Sequence, residues 1–133
     1  MAVTVRRKGQ YHIADCDAAN AVGDMVRISA DEIAGTYQVA NLNIIVDDHD
    51  LPFGMIVEKV TTTRCIVQES GEVRGVYSGL TPGKQLFVDL SSRLTQVVPS
   101  RPATGIKWIH PVAQALSSEV VLLRVQVPVK IHA

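Results

Sequence analysis

The sequence predicts an all-β fold, a single compact β-barrel or two-sheet sandwich with extended terminal arms, and three observations predict it. Short apolar runs of strand length, rich in β-branched residues, recur along the 133 residues with turn-forming clusters between them. Even spacing of such runs belongs to a barrel or a sandwich. Helical periodicity is missing from every window long enough to make a stable helix. No repeat, low-complexity stretch or linker divides the chain, so residues 1–133 are expected to form one β domain. Residues 1–10 and 128–133 are possible arms, because chain ends are ordered only where something ties them down.

In the first half, strand signals fall at residues 25–28, 36–39, 42–46, 55–60 and 64–68. Ser29 with Glu32 matches a capping box and Gly35 is a stop signal, which predicts one short helical turn there. A second short turn is expected at 112–116. In the second half, Gly71, Gly79, Pro82 and Gly83 punctuate the chain, since glycine reaches positive φ freely and proline presets φ for a turn. Between them the strand signals are 73–77, 85–89, 94–98, 106–112 and 119–127. The longest irregular pieces, 47–53 and 99–105, are the loops where contacts are expected.

Composition narrows the function. Hydrophobic residues are 47% and charged residues 20%, the balance of a globular chain. Thirteen basic residues against thirteen acidic ones leave a net charge of zero, which argues against nucleic acid as a partner, because gripping phosphate takes a basic excess. Arg6, Arg7 and Lys8 form the longest basic run and read as a solvated terminus. The charge is unevenly divided: residues 1–66 hold six basic and nine acidic residues, residues 67–133 seven and four. Such a division orients a head-to-tail contact between copies if it is more than chance. No apolar run approaches the ~20 residues of a spanning helix and no signal peptide opens the chain, so no membrane partner and a cytoplasmic origin are expected. In that compartment Cys16 and Cys65 are expected as free thiols, with Cys65 in the core on the same face as Val67.

Catalytic signatures are missing. His12, His49, His110 and His132 share no motif with a nucleophile, and neither a nucleophile elbow nor a phosphate-binding loop occurs, so no enzymatic activity and no cofactor are expected. Asp47, Asp48 and Asp50 around His49 offer oxygen ligands to a hard cation, but nothing completes a calcium loop, so a solvated turn without metal is expected. Trp108 and His110 fall on one face of a strand, opposite Ile109. Two readings stay open for them: an interface anchor, since aromatic side chains are enriched in binding hot spots, or a core tryptophan with a histidine at the strand end. Aromatic content of 5% disfavours a sugar-stacking or oligonucleotide platform.

One stretch carries a resemblance. Tyr-x-Gly-Leu-Thr-Pro-Gly-Lys at 77–84, then an apolar strand, Arg-Leu-Thr at 93–95, a Pro-containing loop with a glycine, and Pro-Val-Ala-Gln-Ala-Leu-Ser at 111–117 before a last strand resembles small virion proteins of tailed bacteriophages. These are capsid decoration or cement proteins and the related β-rich modules of head and tail fibres. Val-Gly-Asp-Met-Val-Arg-Ile at 22–28 and Gly-Met-Ile-Val-Glu-Lys at 54–59 are similar to their opening strands, so the likeness covers most of residues 16–127.

The resemblance implies a structural protein made in the host cytoplasm and carried on the capsid surface. Its partners would be the major capsid protein and other copies of itself, as a dimer or trimer. The alternative it implies is a head-fibre or tail module contacting the host receptor, and a cellular β-barrel that binds a ligand is a third reading. The candidate contact residues, toward capsid or toward another copy, are Trp108, His110, Val127, Val129 and Ile131. The last three lie in an alternating segment where Pro128, which lacks an amide donor, suits an edge strand able to add to a neighbour.

Overall fold

The computed structural model describes residues 10–33, 36–45, 51–99, 106, 108–126 and 128–130, with no account of side chains at 30–33, 36 and 130. The described residues form strands and connecting turns without helix. Five strands come from the first half: β1 (Tyr11–Asp15), β2 (Met25–Ile33), β3 (Thr36–Asn41), β4 (Gly54–Thr61) and β5 (Arg64–Gln68). They close into a barrel in the order β1-β3-β2-β4-β5, with β5 returning to β1. Only β1 and β3 run parallel; the other pairings are antiparallel.

Closure of so few strands demands sharp bending, and the ladders supply it by register shifts. Two fall between β2 and β3, at Ile28/Ala30 and Ala30/Ile33, and two between β4 and β5, at Ile56/Glu58 and Lys59/Thr61. The barrel interior is filled by small and medium side chains, Ala14, Cys16, Val26, Val39, Ile56, Cys65 and Val67, with Phe53 packed at the margin. Gly54 is required at the first residue of β4, because a Cβ there would run into the Gln68 carbonyl.

The second half builds β6 (Gly71–Arg74), β7 (Gln85–Val88), β8 (Leu94–Thr95), β10 (Pro111–Ala115) and β11 (Val120–Leu123) into an antiparallel sheet in the order β6-β11-β10-β7-β8. β9 (Trp108–Ile109) and β12 (Val129–Lys130) make a separate two-stranded ribbon. The sheet lays its apolar face on the barrel flank. Val73, Leu86, Val88, Leu94, Val112, Val121 and Leu123 pack there against Met25, Leu42, Ile44 and Met55. The architecture is thus a closed barrel with a second sheet packed against it.

Each edge strand of that sheet has one backbone group taken by a side chain of the same molecule. At β6 the buried Gln68 amide donates to the carbonyls of Ser70 and Glu72, each at 2.9 Å. At β8 the Leu94 amide donates to the Tyr77 hydroxyl at 2.9 Å. A backbone group already bonded is one fewer for an added strand to pair with.

Several expectations change. The capping box at Ser29 and Glu32 does not start a helical turn: β2 runs on to Ile33, held by pairing of Ala30 with Gln38 and of Ile33 with Thr36. Of the 112–116 segment, residues 112–115 belong to strand β10, since cross-strand partners on both sides outweigh a weak local turn preference. The 106–112 run divides at His110 into β9 and β10. Residues 42–45 are not a strand, although Leu42 and Ile44 are core residues. β1 lies outside every expected strand and is essential to closing the barrel. Pro128 is buried and β12 pairs with β9, so residues 128–130 belong to the framework and are not an arm. Residues 1–9 and 131–133 lie outside the described residues.

A candidate interface on the turn between β7 and β8

The chain from 89 to 93, Asp-Leu-Ser-Ser-Arg, turns back on itself after β7. Aspartate begins such turns readily because its carboxylate satisfies amides further along. Here the Asp89 Oδ1 accepts the amides of Ser91 at 2.8 Å and Arg93 at 3.0 Å. The Asp89 amide donates to the Arg93 carbonyl at 2.8 Å, and the Ser92 amide to the Asp89 carbonyl at 3.1 Å. Ser92 has φ 65°, the one left-handed backbone outside glycine among the described residues. Strain of this kind persists where surrounding contacts impose it.

Those contacts come from the barrel. The buried Ser92 Oγ donates to the Leu42 carbonyl at 2.7 Å, and the Met25 amide donates to the Ser92 carbonyl at 2.7 Å. Arg93 reaches across to donate to the Val22 carbonyl at 3.0 Å and to pair with the buried Asp24 carboxylate at 3.4 Å. Its guanidinium also lies over the Tyr77 ring, 5.0 Å from the centroid. The Tyr77 hydroxyl donates to the Gly23 carbonyl at 2.7 Å, and burial raises its pKa above the ordinary value.

The result is a turn clamped to the barrel with one apolar side chain, Leu90, turned to solvent, followed after β8 by a second exposed apolar pair. Leu90 is 58% exposed and Val97 74%, with Val98 exposed beside it. Leu90, Val97, Pro99 and Ile106 line an open depression of about 330 Å³ with Thr95 and Asp89 at its rim. Exposed apolar groups grouped on a rigid element mark interaction surfaces more often than single exposed residues do.

Two other places were candidates by chemistry. His12, Tyr37 and Phe53 meet at 4.9 to 5.9 Å between ring centroids, and His12 Nε2 lies 2.8 Å from Glu69 Oε2. Rings in mutual contact leave no gap between them, so they form a plug of packed side chains and not a ligand cage. A smaller depression of about 280 Å³ lies among Gln85, Gln114, Arg124 and Gln126. Among the described residues no three of His, Cys, Asp and Glu stand together as a metal site. The aspartates Asp47, Asp48 and Asp50, with His49, lie outside the described residues.

The residues expected at an interface fall differently. Trp108 and His110 are interior side chains, 9% and 2% exposed, with ring centroids 6.5 Å apart, so the core reading holds for both. The Trp108 amide donates to the Ile44 carbonyl at 3.1 Å, which ties β9 to the barrel side. Val129 is exposed but pairs with Ile109 of the same chain, so this segment already has a strand partner. Val127 and Ile131 lie outside the described residues. What the sequence reading missed is the 89–98 surface. Its signal was present in Asp89 followed by two serines and, further on, the apolar pair Val97 and Val98 before Pro99.

A scan of the chain against models of protein families finds no match, and neither does a search of curated proteins.

Proposed function

We propose that this chain is a structural protein of a tailed-phage virion, a decoration or cement protein that binds the outer surface of the head and stabilises the shell. The observation that carries the reading is the apolar surface at 89–98: Leu90 stands exposed on the turn held by Ser92, Arg93 and Tyr77, and Val97 stands exposed just after β8. Rigidity matters because a surface ordered before binding loses little entropy on docking. The turn also lies inside the stretch that resembles decoration proteins, between Gly79 and Pro111.

The mechanism requires no bond to be made or broken. A ligand that prefers the closed shell stabilises it by mass action. Contacts repeated over a lattice add through avidity if copies self-associate, so each interface can be modest. An apolar contact is little screened by salt, and binding should persist at moderate ionic strength.

The test is co-sedimentation of the purified protein with undecorated expanded capsids, followed by thermal rupture. The reading predicts near-stoichiometric binding to lattice positions and a higher rupture temperature. Failure to associate, or inhibition of phage adsorption to host cells, would replace it with the receptor-contacting alternative.

A further inference from the structure

Cys16, just after β1, and Cys65, on the neighbouring strand β5, are free thiols, 8% and 0% exposed. β1 and β5 run antiparallel with Ala14 opposite Cys65. The Cys16 amide donates to the Thr63 carbonyl at 2.9 Å, which continues that register one step beyond Asp15. Alternation places 14 and 16 on one face, and 63 and 65 on the same face of the neighbouring strand. Cys16 is therefore a diagonal neighbour of Cys65, and both side chains belong to the same buried cluster in the barrel interior.

Either thiol alone would be an ordinary small core residue. Two set diagonally across paired segments form a cross-strand bridge only if the backbone draws them together until the sulfurs close to the ~2.05 Å of a disulfide. Cys16 lies just past the last residue of β1, so a shift of its backbone gives up the bond to Thr63 but leaves the pairing from Tyr11 to Asp15 in place.

We propose that Cys16 and Cys65 are a latent disulfide that braces the barrel once the protein meets a low-molecular-weight disulfide as oxidant. Cys16, the more exposed thiol, is the entry point. As thiolate it attacks one sulfur of the oxidant, forming a mixed disulfide and releasing one small thiol. The Cys65 thiol gives its proton to solvent base and attacks the Cys16 sulfur, forming the protein disulfide and releasing the second small thiol. Two protein thiols are oxidised and one disulfide is reduced. Burial pushes the Cys65 thiol up to about 12, so it resolves the mixed disulfide slowly and does not initiate exchange. In a reducing compartment the pair stays reduced. The bridge would bracket β2, β3 and β4, limiting the unfolded chain over most of the barrel. This inference is independent of the virion reading.

The experiment treats the native full-length protein with oxidised glutathione, then uses alkylation, mass measurement and peptide mapping, with a thermal melt of each product. Expected for the unsubstituted protein are the loss of two hydrogens, a linked peptide pair containing Cys16 and Cys65, and a Tm rise on the order of 5–10 °C that dithiothreitol reverses. Cys65→Ala should accumulate the glutathione adduct on Cys16, and Cys16→Ser should neither link nor gain stability. The mapping on the unsubstituted chain decides the matter even where a variant fails to fold. Thiols left unmodified after prolonged exposure, arrest at the mixed disulfide, or a linked form that melts no higher would each overturn the proposal.

Discussion

The Arg93 guanidinium occupies the space that a side chain at Gly23 would need. A Cβ placed on Gly23 would lie 2.7 Å from an Arg93 nitrogen, and Gly23 itself has φ +100°, a conformation other residues adopt only under strain. Arg93 donates to the neighbouring Val22 carbonyl and Tyr77 donates to the Gly23 carbonyl, so one glycine is the point where turn, sheet and barrel are joined.

Substituting Gly23→Ala should therefore destabilise the fold by about 1–3 kcal/mol, measured by denaturant unfolding. Arg93→Ala removes the crowding but not the backbone strain. The double variant should depart from additivity by more than about 0.5 kcal/mol, as neighbours sharing one space do. Additive losses would mean that the guanidinium moves aside without cost.

Tyr77→Phe should cost about 1–3 kcal/mol at neutral pH, because the Leu94 amide and the Gly23 carbonyl lose their partner together. Alkaline pH tests the same hydroxyl. Burial raises the Tyr77 pKa above its ordinary 10.0, so the folded state holds the phenolic proton more tightly than the unfolded state. That contribution is complete below pH 10 and is lost as pH rises through the folded value. Cys65 adds a loss of the same sign between pH 9.0 and about 12. Melting followed from pH 8 upward should fall less steeply for Tyr77→Phe than for the unsubstituted chain, and equal slopes would count against the buried phenol.

Leu90→Asp and Val97→Asp probe the surface without touching the core. Both side chains are exposed, so stability should change by no more than about 0.5 kcal/mol. Capsid co-sedimentation should fall sharply in each variant. Retained binding would move the contact to another face.

Ending the chain after residue 127 removes β12 and uncovers the β9 edge at Ile109. The shortened protein should melt several degrees lower while keeping its β-type circular dichroism spectrum. An unchanged Tm would show that the ribbon contributes nothing to stability.

Local chemistry was enough to determine the β class and most strand positions. The turns at Gly71, Gly79 and Gly83 all take positive φ, as glycine punctuation between apolar runs implies. The alternation around Cys65 likewise placed Cys65 and Val67 together in the core. Such features are legible because they depend on residues close together in the chain.

Only the tertiary structure decided the rest, for reasons that act over long separations. β1 became a strand by pairing with β5 about fifty residues away, and the segment from Ser29 to Ile33 became the end of β2 because β3 offered partners that a single capped turn could not match. Trp108 went inside beside the buried His110, on a strand tied to Ile44 and paired with β12, a placement that its two-residue spacing from His110 does not contain. The exposed turn followed the same rule: Asp89 announces a bend locally, but its rigidity comes from Leu42, Val22 and Asp24, brought there by packing of sheet on barrel. Sequence determines where a chain can turn and which face is apolar, whereas the pairing of distant strands determines which apolar residues are left outside.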